Sequence, residues 1–121
     1  MSITNFLLIL INTIILVSGQ FMWKFGLQNK PAVFDSFTSI VKLFLSPFII
    51  GGLSLYGLAT VLWLFILTKV PLSVAYPIQS IAYILAIVGA YFIFNEPITI
   101  WKIVGCLFIM IGVSFIGFSP K

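Results

Sequence analysis

Four apolar runs, residues 3–23, 47–67, 72–94 and 98–118, take up most of this 121-residue chain. Each approaches or exceeds the roughly 20 helical residues needed to cross the hydrocarbon core of a bilayer. Lipid offers no partner to a backbone N–H or C=O, so an apolar run of this length must satisfy its own peptide groups as a helix. The expectation is an all-α membrane protein with four transmembrane helices in a single domain over residues 1–121, leaving no room for a soluble domain. Composition agrees: 62% of residues are hydrophobic and 7% charged, against roughly half and a quarter in soluble domains. The first run has no basic segment before it and is longer than a typical signal-peptide core, so it reads as a span rather than a cleaved leader.

The links between runs dictate how the spans sit. Thr68-Lys-Val-Pro71 and Asn95-Glu96-Pro97 are very short, which forces the last three spans to run antiparallel beside one another. The first link is longer. Within it Phe37, Ile40, Val41, Phe44 and Leu45 recur at helical spacing. An interfacial helix over 35–45 is expected, with Asp35 as its N-cap and Pro47 marking its end. Gly105 and Gly112 lie seven apart on the fourth span, one face of a helix, and are expected to form a helix-pairing surface. Gly51, Gly52 and Gly57 could equally serve contacts within the chain.

Charge narrows the function. Six lysines stand against Asp35 and Glu96, an excess suited to lipid headgroups rather than nucleic acid. Lys24, Lys30, Lys42 and Lys102 fall on one side and Lys69 and Lys121 on the other. That count favours both termini outside, but Lys24 and Lys102 lie so close to helix ends that insertion in both orientations stays open. No charged residue lies near the middle of a span, so a proton-coupled antiport site has no titratable group to use. With no histidine, no pair of carboxylates and no hydrolytic triad, neither catalysis nor a metal or other cofactor is expected. Cys106, alone in the fourth span, reads as a small packing residue.

What remains is neutral polarity at helical spacing. Asn12, Leu16, Gly19, Gln20 and Trp23 share a face of the first span, with Lys24 one step round at its edge. On the third span Ser73, Tyr76, Pro77, Ser80, Tyr83 and Ile84 share another, with Gln79 on its flank. Each amide alone reads equally well as a helix-to-helix hydrogen bond. Together they suit a polyhydroxylated head such as a sugar, with Lys24 placed to meet a phosphate. Pro77 removes the hydrogen bond to the Ser73 carbonyl and is expected to be a hinge.

Several of these residues carry a resemblance. Pro71-x-x-x-Ala75-Tyr76, Asn95-Glu96-Pro97 and Gly105 with Gly112-Val113 resemble the small multidrug resistance family of the drug/metabolite transporter (EamA-like) superfamily. The likeness runs from about Leu58 to Gly117, with a further match at Ser18-Gly19-Gln20 and Lys24. It implies a small multidrug resistance-like bundle that works as an antiparallel dimer, paired with itself or with a paralogue. Two departures bear on function. Leu16 stands where drug exporters carry a glutamate, and Gln79 where they carry a tryptophan. A closer likeness is to the paired subunits that flip aminoarabinose-phosphoundecaprenol, at Ser18-Gly19-Gln20, Leu62-Trp63-Leu64, Ala75-Tyr76-Pro77 and Glu96-Pro97. That likeness implies a multi-pass protein of a bacterial inner membrane flipping a polyprenyl-phosphate-linked sugar or related head group. It adds Trp63 to a substrate-binding set of Asn12, Gln20, Lys24, Tyr76, Gln79, Ser80 and Tyr83. The link between the first two spans matches poorly, so the particular sugar is not implied. Two other readings stand beside it: an exporter of cations or small metabolites, and a non-transporting helical subunit of a membrane complex.

Overall fold

A computed structural model describes residues 2–28 and 34–118. Their architecture is all-helical: α1 (Ile3–Leu27), α2 (Phe37–Phe44), α3 (Pro47–Leu67), α4 (Leu72–Ile78), α5 (Ile81–Phe94) and α6 (Ile100–Gly117). These helices make four segments long and apolar enough to cross a membrane, with α4 and α5 together forming the third. α1 extends beyond the expected end at Trp23 to Leu27, and α6 starts at Ile100 rather than at Ile98. Thr99 explains the later start, since its hydroxyl accepts from Lys102 N–H at 3.3 Å and caps the helix. The N-cap expected for the interfacial helix moves by one residue. Ser36, not Asp35, caps α2, its Oγ accepting from Ser39 N–H at 3.1 Å. A serine oxygen so placed satisfies a donor that α2 leaves free, and Asp35 stays exposed. Lys30 and Lys121, which entered the charge count, lie outside the described residues.

The closest helix pair is α1 with α3, and glycine is the reason. A Cβ on Gly19 would stand 3.2 Å from the Gly52 carbonyl oxygen and 3.0 Å from the Tyr56 ring, while one on Gly52 would stand 2.9 Å from the Gly19 carbonyl. Two backbones can approach this closely only where neither carries a side chain. Gly51 makes room for Met22, and Gly89 of α5 makes room for the Phe21 ring of α1. α1 thus lies between α3 and α5, so the second and third spans meet mainly near the α3–α4 turn and not side by side as their short link led us to expect, while α6 leans on α4 and α5.

An apolar core of Ile9, Ile66, Val70, Ala75 and Ile78 closes the end of the bundle near the α3–α4 turn. Elsewhere the apolar faces are open. α5 and α6 bury no residue, and Phe37 and Phe44 of α2 project outward, as expected of surfaces whose solvent is lipid. A Cβ at Gly57, Gly105 or Gly112 would meet nothing within 4 Å. The glycines of α3 therefore divide, Gly51 and Gly52 serving contacts within the chain and Gly57 none.

This division predicts opposite outcomes for one chemical change. Gly52→Ala overpacks the α1–α3 contact and lowers stability by about 1–3 kcal/mol. Gly57→Ala, facing open space, leaves the protein as stable or slightly more so. Thermal unfolding in detergent measures both.

Candidate substrate site between the spans

Asn12 sits at mid-span on α1 with no exposed surface, and among the described residues neither its amide nitrogen nor its amide oxygen has a hydrogen-bond partner. Its neighbour Thr13, equally deep, is satisfied, donating to the Ile9 carbonyl at 2.8 Å. Asn12 is also among the residues lining a cavity of about 170 Å³, with Leu16, Tyr56, Thr60, Trp63 and Gln79. An unpaired buried amide costs about 1–3 kcal/mol, so its position calls for a partner that the described residues do not supply. Gln79 lines the same cavity from the third span. The place has two amides, an indole and a phenol, and no charge.

One side of this cavity is built by the glycine contact. With α1 and α3 drawn together, Tyr56 stacks on Trp23, ring centroids 4.5 Å apart and 16° from parallel. Its hydroxyl oxygen accepts from Gln20 Nε2, while Trp23 Nε1 donates to the Ile49 carbonyl at 3.1 Å. Tyr56 faces the Asn12 cavity and Gln20 faces a second one. Their hydrogen bond stands as a partition between the two.

The second cavity, about 350 Å³, lies toward the other end of the bundle and is lined by Gln20, Lys24, Glu96 and Lys102 over walls that include Phe21 and Phe94. Its charged members come from the last turn of α1, the α5–α6 turn and the first turn of α6. Asn95 ends α5 in the left-handed conformation, φ 57°, and Glu96 N–H then bonds back to Ala90 O at 3.1 Å, turning the chain over the cavity. Lys102 Nζ donates to Pro97 O at 2.8 Å.

The third span is broken, which corrects the expected site. Ser80 N–H bonds to Pro77 O at 3.0 Å, and Ser80 Oγ–H donates to the same carbonyl. Ala82 N–H goes to Gln79 O and Tyr83 N–H to Ser80 O, each three residues back. The interruption therefore falls at Gln79–Ser80, just beyond Pro77, the expected hinge. A helical wheel carried across residues 73–84 assumes unbroken turns, and three-residue bonds overwind the chain past that register. Gln79, expected on the flank, turns into the Asn12 cavity. Tyr76 and Tyr83, expected on the polar face, stand 66% and 64% exposed. Tyr76 keeps an edge contact with Trp63 at 6.3 Å, and the Ser80 hydroxyl is engaged by the backbone.

The eight expected site residues thus do not form one groove. Asn12, Trp63 and Gln79 meet in the smaller cavity and Gln20 and Lys24 in the larger, while Tyr76, Ser80 and Tyr83 line neither. Tyr56, Thr60, Glu96 and Lys102 belong to the cavities without having been singled out. A signal for Tyr56 was available: Gly52, Tyr56, Ala59 and Trp63 follow the 4-3-4 spacing of one helix face.

The fold defines a multi-pass α-helical membrane protein with polar cavities among its spans. Within that class the chain belongs to the EamA-like transporter family, whose pattern matches residues 2–118. Three relatives are probable 4-amino-4-deoxy-L-arabinose-phosphoundecaprenol flippase subunits. ArnE of Enterobacter sp. (strain 638) is 46% identical over 66 residues, 54% of this chain and 62% of that protein. ArnF of Yersinia enterocolitica is 35% identical, covering 91% of each chain. ArnE of Aeromonas salmonicida is 31% identical over 93% of this chain and 96% of that one. No solved structure matches the chain significantly.

An unpaired buried amide is a burden on the protein. Asn12→Leu, nearly equal in volume, removes the unpaired group and stabilises the protein by about 1–3 kcal/mol. The same change lowers transport. Unfolding in detergent and a reconstituted transport assay read the two effects separately.

Proposed function

We propose that this protein is a flippase subunit that moves a polyprenyl-phosphate-linked sugar, or a related lipid-linked head group, across a bacterial inner membrane. The observation that carries the reading is the unpaired Asn12 amide opposite Gln79 in an uncharged cavity at mid-span. A sugar hydroxyl both donates and accepts, so it can satisfy either amide atom. A cation finds no carboxylate there, since Leu16 occupies the wall. The hydrocarbon tail stays in the bilayer while the head passes between helices, and flow runs downhill where the head is consumed on the far side. The relatives' stated activity supports the same substrate class.

Gln79→Leu preserves the fold, because leucine suits a membrane helix, and reduces flipping of a labelled lipid-linked sugar in proteoliposomes by about tenfold or more, the loss of one buried hydrogen bond and its unpaired partner. Uptake of a cationic dye in the same vesicles addresses the exporter reading. If the dye moves and the lipid does not, the flippase reading is wrong. Inactivity alone, with an active complex recovered on co-purification, favours the non-transporting subunit.

The working unit in this reading is an antiparallel pair, with a second copy or a paralogue. Four spans supply half of an inverted-repeat transporter, in which the site lies between the halves. α6 buries no residue and presents Gly105 and Gly112 to open space, as a pairing face requires. Gly112→Leu is expected to shift the oligomer to monomer on native mass analysis, and an unchanged oligomer rules out pairing through that face.

A further inference from the structure

The hydrogen bond between the two cavities joins side chains that are held very differently. Tyr56 is fixed from several directions. Its ring stacks on Trp23, whose Nε1 is tied to Ile49 O, and it packs so closely on Gly19 that a Cβ there would stand 3.0 Å away. Gln20 is exposed and reaches the Tyr56 hydroxyl through a long, flexible side chain. Exposed side chains of this kind exchange rotamers quickly. Breaking the contact therefore needs a rotamer change at Gln20 and no displacement of α1 against α3, which the glycine contact holds together.

Size makes the bond an obstacle. Ligand pockets run from about 300 Å³ upward, and the Asn12 cavity, at about 170 Å³, falls short of that alone. The larger cavity, at about 350 Å³, lies at the membrane boundary beside the exposed Lys24. A head group moving from that boundary toward Asn12 meets Gln20 and Tyr56 on the way. A hydroxyl that enters between them accepts from the Gln20 amide and donates to the phenol oxygen, so both groups stay satisfied. An apolar group entering there leaves both unpaired, at a cost.

We propose that Gln20 is the moving leaf of a gate between the two cavities and Tyr56 its fixed post, the gate closed by their hydrogen bond and opened when a hydroxyl of the passing head group enters between them. This rests on the flippase reading and adds how passage within that site is controlled.

Ala59 reports on the gate, since it lines the smaller cavity and is 1% exposed. In the full chain carrying Cys106→Ala and Ala59→Cys, reconstituted in liposomes, a charged methanethiosulfonate that does not enter lipid reaches the thiol only when water does, because the reactive thiolate forms poorly in apolar surroundings. Labelling is expected to be slow in this parent and about three- to tenfold faster after either Gln20→Leu or Tyr56→Phe, the effect of one lost hydrogen bond on the opening equilibrium. Tyr56→Phe keeps the ring stack and with it the fold. The double variant labels no faster than the singles, because both remove the same bond. Gln20→Glu, which accepts from the phenol, holds the slow rate, whereas a packing role alone would not separate it from Gln20→Leu. Parent-rate labelling in both single variants, gains that multiply in the double variant, or Gln20→Glu as fast as Gln20→Leu overturns the gate. Flipping of a lipid-linked sugar by the unmodified chain, with gate variants that label at the parent rate, sinks this inference alone. Faster labelling in the gate variants without any flipping by the unmodified chain sinks the flippase reading and leaves the gate standing.

Discussion

The contact of Gly19 with Gly52 is the constraint on which the polar interior depends. In lipid, apolar side chains gain little by leaving one apolar surrounding for another, so helices associate where their backbones fit closely. With no Cβ on either side, α1 and α3 approach until a Gly19 Cβ would stand 3.2 Å from the Gly52 oxygen. That approach brings Tyr56 onto Trp23 and within reach of Gln20. It also buries Asn12 without a partner. A bulkier residue at either glycine would wedge apart the wall that separates the two cavities.

The break in the third span is a second local event with distant consequences. Pro77 supplies no N–H, and Ser80 then occupies the Pro77 carbonyl with both its N–H and its hydroxyl. The turn tightens and Gln79 faces inward. A straight helix would need its amide accommodated on the flank. Broken backbone is tolerated at membrane depth where it lines a cavity or is covered by protein, and here it borders the cavity that holds Asn12.

The interior differs along the bundle: an apolar core at one end, neutral amides at mid-span, and a charged cavity at the other end. Charges at a bundle end follow the cost of an ion in hydrocarbon, whereas amides at mid-span run against it. α5 and α6 bury nothing and leave a broad apolar face to lipid or to a partner.

Much of this was legible in the amino-acid order. Span length, the helical fold and the shared face of Asn12, Leu16, Gly19, Gln20 and Trp23 follow from hydrophobic periodicity, a local property, whereas the short link after the second span did not set it beside the third, because α1 packs between α3 and α5. The separation of Gln20 and Lys24 from Asn12 and Gln79 is not local either. It depends on Tyr56, 36 positions from Gln20, arriving at one point because two glycines let their helices meet. Nor does periodicity reveal that Tyr76 and Tyr83 turn outward, because it presumes the unbroken helical turns that Ser80 interrupts. Lys24 and Lys102 lie at opposite ends of the chain and share a cavity only once α1 has settled against α5. Helical spacing places residues on a face; only contacts between helices decide what that face meets.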